Sequence, residues 1–244
     1  LTHLSSFSKF STLKRRIASI KVVHRLKGHY IDTKHPIITE NIMGIKRKLG
    51  VKQTSKKPIL INDLKKIINV INEEKNELKK YQNKALILIG FAGGFRRSEL
   101  VSIEYEDVDF VAEGVKITVT KSKTDQTGIG LTKAIPYFEN KTYCPVISLK
   151  KWIEYSNIKN GKVFKVSDKT VALTIKKYAS IAGLDNSKYA GHSLRSGFAT
   201  STAEIGADER SIMAMTGHKT TQMVRRYIQE ANLFKNNALN KIKI

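Results

Sequence analysis

The sequence has few of the residues that support disulfide or metal chemistry. It contains one cysteine, Cys144, so no disulfide can form within the chain, and no Cys/His cluster has the spacing of a structural zinc site. No apolar run approaches the roughly 18 to 20 residues that span a bilayer, and the first residues lack the apolar block of a signal peptide. We therefore expect an intracellular, cytoplasmic protein without redox or zinc chemistry.

Acidic residues are scarce beside basic ones. The chain of 244 residues has 44 Lys and Arg against 21 Asp and Glu, a formal net charge of +23. Residues 1–57 hold 14 of the basic residues against Asp32 and Glu40. Such an excess favours an acidic polymer as partner, with nucleic acid ahead of a membrane surface. Charge alone does not separate an enzyme from a ribosomal or chromatin protein.

The spacing of apolar residues predicts two basic helices, over 11–29 and 38–50, followed by a polar linker over 51–58 that ends at a proline. We expect residues 1–50 to be the C-terminal part of a helical DNA-binding domain that is truncated at its N-terminus. Residues 59–244 form the second predicted domain. Because the sequence opens inside a helical pattern, the truncation is an expectation from the pattern alone.

The second domain is predicted to be mainly α with a small antiparallel β-sheet, an α+β fold. Two helices are expected between residues 61 and 95, the second of them strongly apolar. The segments "DVDF", "GVKITVT" and "TKAIPYF" then show the β-branched, alternating pattern of strands. From Pro145 onward the pattern returns to helices.

Five short segments of this domain could carry chemistry: "GGFRRSEL", "KSKTDQTG", "GHSLRSG", "TGHKTTQ" and "RRYI". Each is weak by itself, because an Arg pair in so basic a protein is more often solvated. In this order, Arg, Lys, His-x-x-Arg, His and Tyr, the set resembles the tyrosine recombinase (phage integrase) family over about residues 10–235. The resemblance implies a catalytic domain preceded by the end of the family's core-binding domain.

The resemblance also implies roles for individual residues. It implies a site-specific recombinase or integrase that cleaves and rejoins DNA through a 3′-phosphotyrosyl intermediate. Glu99 matches the acidic residue that accompanies the first arginine. The residues that match the family's catalytic positions are Arg96, Lys123, His192, Arg195, His218 and the nucleophile Tyr227.

The chemistry explains why these residue types are needed. Two planar guanidinium groups can bind the oxygens of a phosphodiester bidentately as charge builds during attack. A tyrosine hydroxyl, with a pKa near 10, needs a proton acceptor, for which His192 is the candidate. Lys123 is expected to protonate the leaving 5′ oxygen, and His218 to hydrogen-bond the phosphate. These cations supply the charge that a metal supplies elsewhere, so no metal or cofactor is expected.

Several residues keep alternative interpretations. Arg97 is expected to be a surface or DNA-backbone arginine, since only the family register selects Arg96. Glu99 could equally be a carboxylate favoured by a helix start. Tyr178 and Tyr189 are rival tyrosines, but neither has a histidine at the matching distance, so both are expected in the core or on DNA.

The expected partner is double-stranded DNA, contacted mostly through phosphates. The C-terminal segment 228–244 is expected to dock on a neighbouring subunit in a tetramer, and no membrane is involved. A type IB topoisomerase and a recombinase-like DNA-binding protein without chemistry are the alternative functions. The residues predicted to bind DNA are Arg15, Arg16, Lys21, Arg25, Arg47, Lys48 and Arg97.

Overall fold

The structure is a computed structural model, and it describes residues 1–50, 56–120, 130–232 and 238–242. The chain divides into two compact units, Leu1–Ser55 and Lys56–Ile244.

The first unit is helical and buries little of its apolar surface. It contains α1 (Thr2–Ser5), α2 (Phe10–Leu26) and α3 (Pro36–Leu49). Leu13 and Ile45 are its buried apolar side chains, whereas most of the apolar stripe that was expected to define α2 is exposed. The two predicted helices are present, and α1 is an addition that the periodicity did not indicate.

The second unit is mainly helical with one small sheet, so the predicted fold class is confirmed. Its three strands, β1 (Val108–Val111), β2 (Gly114–Val119) and β3 (Leu131–Pro136), pair antiparallel in that order. Short turns of 3-10 helix lie between the longer elements. The helices are α4 (Ile61–Asn72), α5 (Glu77–Ala92), α6 (Arg97–Ser102), α7 (Pro145–Ser156), α8 (Asp168–Ile181), α9 (Ser193–Glu204), α10 (Glu209–Thr216) and α11 (Thr221–Asn232).

Helix α5 is the centre of the main core. Every residue from 85 to 92 is buried, and α4, α7, α8 and α9 pack around the helix. At its end the chain turns sharply through Gly93 and Gly94, and Gly94 has a φ of +53°, a left-handed conformation that favours glycine. A Cβ on Gly93 would lie 2.1 Å from the Phe95 ring. This tight turn places Arg96 directly before α6.

Helices α9, α10 and α11 share a second, smaller core made by Ala199, Ala203, Ile212 and Val224. Tyr227 on α11 packs against this core. On its other side α9 meets the chain before α4, because the Ile59 amide donates to the Ser193 carbonyl at 2.9 Å. The approach is so close that a Cβ on Gly197 would lie 2.0 Å from the Ile59 oxygen. Glycine is therefore required at this contact.

No helix in the described part of the chain is long and apolar enough to cross a membrane. Within the same residues, no group of three or more His, Cys, Asp or Glu side chains could hold a metal ion. Cys144 is buried as a free thiol.

Candidate active site

The first arginine of the site is fixed by the helix that follows it. Arg96 precedes α6, and Glu99 in the first turn accepts a hydrogen bond from the Arg96 amide at 2.9 Å and another from its guanidinium. Burial by itself would raise the pKa of Glu99, but these hydrogen bonds, together with the charges of Lys133 and Arg96, outweigh it and the pKa is lowered. Glu99 is thus both the helix-start carboxylate and the group that orients Arg96.

The second arginine projects from α9 into the protein. Arg195 is 1% exposed, and its Nη1 donates to the Gly94 carbonyl at 2.8 Å. Its Nε and Nη2 are buried without a hydrogen-bond partner among the residues that the structure describes. Burial, and after it the charge of Arg96, lowers the pKa of Arg195 to about 10. A buried guanidinium with donors to spare is a strong anion-binding group.

His192 precedes the first residue of α9, three positions before Arg195. His192 is exposed at the surface of the protein. The pKa of its imidazole is nevertheless lowered, first by desolvation and then by the charges of Arg195, Arg96 and Arg97. The imidazole is therefore held neutral near pH 7. A neutral imidazole can accept a proton.

His218 is the imidazole that lies beside Tyr227. Their ring centroids are 6.0 Å apart, His218 is 7% exposed, and Tyr227 is half-buried. Burial, followed by the charges of Arg195 and Arg96, lowers the pKa of His218 to about 4.

The tautomer of His218 follows from its neighbour. The Thr216 hydroxyl donates its single hydrogen to the Ile212 carbonyl at 2.6 Å, and its oxygen lies 2.8 Å from His218 Nδ1. Nδ1 must then be the donor of this second bond. The lone pair of neutral His218 is consequently on Nε2.

Comparison with known proteins identifies the family. The phage integrase family model matches residues 59–233. An integrase/recombinase xerD homolog of Selenomonas ruminantium is 42% identical over 257 aligned residues, which cover 99% of this chain and 75% of that protein. The chain belongs to the phage integrase family.

More distant proteins agree with this assignment. The tyrosine recombinase XerA of Pyrococcus horikoshii is 27% identical over 77% of this chain and 62% of its own length. The structure of the XerH site-specific recombinase bound to palindromic difH substrate, a post-cleavage complex, matches with a TM-score of 0.71 and 19% identity. The match covers 97% of this chain and 72% of XerH and shows the same fold. The protein is a tyrosine site-specific recombinase.

Four of the six predicted catalytic residues share one electrostatic environment in the recombinase, since Arg96, His192 and Arg195 all perturb the pKa of His218. Tyr227 joins them through its ring contact with His218 and its influence on the pKa of Arg195. Lys123, the predicted general acid, lies outside the described residues.

The rival tyrosines are in the core. Tyr189 donates to Asp63 at 2.8 Å and Tyr178 donates to Glu74 at 2.9 Å. Both are buried, and burial followed by these hydrogen bonds raises the pKa of each hydroxyl. A hydroxyl held in this way is a poor nucleophile, which agrees with the expectation that neither is catalytic.

The predicted DNA-binding residues are on the surface of the unit that contains them. In the first unit, Arg15, Arg16, Lys21, Arg25, Arg47 and Lys48 are all exposed. In the second unit, Arg97 is 42% exposed and 3.8 Å from Asp168. The stem of Arg97 covers Gly191, where a Cβ would fall 1.8 Å from Arg97 Cδ. Arg97 therefore lies beside His192 as well as on the surface.

Sequence reasoning missed one charged residue of the site, Lys133 on β3. It is 1% exposed and its ammonium lies 4.0 Å from Glu99 Oε2. The signal was present, because strand alternation places Lys133 on the same inward face as Ile135. A lysine at a core-facing strand position is unusual enough to be noticed.

Proposed function

We propose that this recombinase cleaves and rejoins DNA at specific sites through a 3′-phosphotyrosyl intermediate, with Tyr227 as the nucleophile. The observation that carries the proposal is the buried guanidinium of Arg195. Two of its nitrogens, Nε and Nη2, lack a partner among the described residues, in a site that also contains Arg96 and His218. A phosphodiester oxygen is the acceptor that such donors fit.

Arg96 and Arg195 would hold the scissile phosphate and stabilise the charge that builds on its non-bridging oxygens. Their carboxylate and carbonyl partners, Glu99 and Gly94, fix the two guanidinium groups before DNA arrives. Little reorganisation is then needed at the moment of reaction, which is the basis of electrostatic catalysis.

In the cleavage step the Tyr227 oxygen bonds to phosphorus as the bond from phosphorus to the 5′ oxygen breaks. The tyrosine proton passes to an imidazole, and the leaving oxygen takes a proton from Lys123. The products are a phosphotyrosyl bond at the 3′ end and a free 5′ hydroxyl. Because one phosphodiester replaces another, a second strand's 5′ hydroxyl can reverse the step without an energy source.

His192 is our proposed proton acceptor, and His218 is the second candidate. His192 is held neutral by its surroundings. His218 is favoured by its ring contact with Tyr227 and by the unprotonated Nε2 that Thr216 imposes. With this tautomer, His218 can donate from Nε2 to a phosphate only after it gains a proton, which the phosphate charge would promote.

We propose that the basic residues of α2 and α3 contact DNA phosphates. The solved XerH complex, which resembles this chain in fold, contains bound DNA substrate. Each phosphate contact that is lost should reduce the slope of log affinity against log salt by about 0.9. Binding titrations of Arg15→Ala and Arg47→Ala over a salt series measure this slope. A protein with this function acts where cellular DNA lies, in the cytoplasm of a bacterial host.

A tetramer formed through the C-terminal segment remains part of the proposal. Ile228 and Ala231 pack against the recombinase's own small core. Deleting 228–244 would therefore damage the domain as well as any interface. Deletion of residues 233–244 is the cleaner test: cleavage of a single site should persist while complexes that hold two DNA duplexes are lost.

The central experiment is covalent capture. The recombinase is incubated with a pool of nicked duplexes whose sequence around the nick is randomised, so that the cleaved fragment diffuses away and traps the adduct. A protein band shifted by covalently bound DNA on a denaturing gel is expected, and sequencing its DNA gives the site. Tyr227→Phe should abolish the band.

Tyr178→Phe is the matched control, since it removes a buried hydroxyl from the same unit and should leave the band intact. Persistence of the band in Tyr227→Phe would refute the nucleophile. Relaxation of a plasmid without recombination between two recovered sites would instead favour the topoisomerase alternative.

A further inference from the structure

Lys133 contacts the two chain segments that hold the arginines of the site. Its ammonium donates to the Gly93 carbonyl at 2.7 Å and lies 4.2 Å from the centre of the Phe95 ring. Gly93 and Phe95 flank Gly94, whose carbonyl accepts the hydrogen bond from Arg195. Lys133 therefore binds the same turn whose Gly94 carbonyl accepts the hydrogen bond from Arg195.

The second connection runs through Glu99. Lys133 Nζ is 4.0 Å from Glu99 Oε2, while the other carboxylate oxygen of Glu99 accepts from the Arg96 guanidinium. One carboxylate therefore faces two cations, Lys133 and Arg96, and Arg195 adds a third positive charge nearby. Lys133 is therefore linked to Arg96 through Glu99 and to Arg195 through the Gly93–Gly94 turn.

The surroundings of Lys133 disfavour its charged form. Burial, followed by repulsion from Arg195 and Arg96, lowers the pKa of Lys133 to about 7, and only Glu99 opposes the shift. The Lys133 charge also contributes to the lowered pKa of His218, which lies on the loop after α10. A well-packed apolar side chain usually fills such a position at lower cost.

We propose that Lys133 is a positioning residue for the phosphate-binding arginines: its ammonium fixes the Gly93–Gly94 turn and the Glu99 carboxylate, which hold Arg195 and Arg96. The inference rests on the proposed function, because it assigns Lys133 a role in the same cleavage step. Lys133 does not touch DNA in this scheme. It acts through the groups that do.

The protonation of Lys133 gives the proposal a readout that a packing role would lack. A phosphate bound by the arginines would favour the charged ammonium, so Lys133 should lose its proton at a higher pH in the DNA complex than in the free protein. Its positioning effect should be present below that pH and lost above it. An arginine at this position would keep its charge throughout.

The test uses the full chain and the duplex recovered by covalent capture, with single-turnover adduct formation as the rate. Lys133→Met, which keeps the apolar stem, should slow adduct formation about 10-fold to 100-fold, by analogy with the loss of groups that orient metal ligands. Its affinity for the duplex should stay close to that of the wild type. Lys133→Arg should restore most of the rate. Lys116→Met, an exposed lysine on β2, is the matched control and should change neither quantity.

The pH series completes the test. Between pH 7 and 9, the rate of Lys133→Arg divided by that of the wild type should rise by about threefold or more. If Lys133→Met does not melt cooperatively, Lys133→Leu takes its place, because leucine also lacks the donor to the Gly93 carbonyl.

Two failures are distinguishable. A wild-type protein that forms no adduct with any duplex contradicts the proposed function. A wild-type adduct combined with an undiminished rate in the folded Met or Leu variant, or with a flat pH ratio, overturns the role of Lys133 alone.

Discussion

Arg195 should destabilise the recombinase when no DNA is bound. Its guanidinium is almost fully buried, and its pKa falls from the ordinary 12.5 to about 10. A tenfold change in a dissociation constant corresponds to about 1.4 kcal/mol, so at neutral pH the fold disfavours the charged side chain by roughly 3 kcal/mol. Because the pKa of Arg195 is lowered, its charged form destabilises the folded state at every pH below about 10.

Arg195→Met removes the charge and keeps much of the aliphatic stem. The variant loses the hydrogen bond from Nη1 to the Gly94 carbonyl, and leaving that carbonyl unpaired costs about 1 to 2 kcal/mol. The balance is a gain of about 1 kcal/mol, which raises the Tm of a unit of this size by about 2 to 4 °C. Adduct formation should be abolished in the same variant, because half of the phosphate clamp is gone.

Thermal unfolding of the two proteins, each with and without the recovered duplex, measures both effects. DNA should raise the Tm of the wild type more than that of Arg195→Met, since the phosphate compensates the buried charge. Arg97→Met is the control: this arginine is 42% exposed beside an exposed Asp168, so its replacement should shift stability by less than about 0.5 kcal/mol. A cooperative melt of Arg195→Met at a lower temperature than the wild type would refute the reasoning.

Three further predictions concern other parts of the second unit and the helix α3. Gly197→Ala places a methyl group 2.0 Å from the Ile59 oxygen, so the free energy of unfolding should fall by about 2 kcal/mol or more in denaturant melts. Gly44→Ala is the control, because a Cβ at Gly44 has no atom within 4 Å and the substitution should cause no loss of stability. Tyr189→Phe removes a buried hydrogen bond and should lower the free energy of unfolding by about 1 kcal/mol, with undiminished adduct formation; loss of the adduct would reopen the assignment of Tyr227. The pKa of His218 is lowered to about 4, so the unfolded state gains this proton first, and stability should fall by up to about 3 kcal/mol from pH 6.5 to 4. His218→Gln should lack this part of the acid loss, and identical pH profiles would contradict it.

The arrangement of charges explains why the site is poised for DNA. Glu99 is the one carboxylate in direct contact with the cluster among the described residues, whereas Arg96 and Arg195 are cationic and Lys133 adds a third positive charge when it is protonated. Burial, followed by the positive charges of Arg195 and Arg96, lowers the pKa values of both histidines and favours their neutral forms. A bound phosphate would relieve the repulsion among these charges, so substrate binding and proton uptake should be coupled.

Local patterns were sufficient for much of the architecture. The periodicity predicted α2, α3 and the helices after Pro145, and alternation predicted the small sheet, because each depends on neighbours within a few residues. The order of Arg96, His192, Arg195, His218 and Tyr227 was also readable, since the spacing of His and Tyr on nearby elements is a property of the chain itself. The order of these residues indicated the family without any knowledge of tertiary contacts.

Contacts between distant segments were decided only by the tertiary structure. Lys133 is one of many lysines in the sequence, and nothing local shows that it reaches Gly93, forty positions earlier. The ring contact between His218 and Tyr227 is also set by the fold, while the choice of His192 as proton acceptor stays a prediction. Charge, burial and hydrogen bonding of a side chain are set by what packs against it from elsewhere in the chain. The sequence alone determined which residues could form the site, and packing decided which of them are neutral, buried or still in need of a partner.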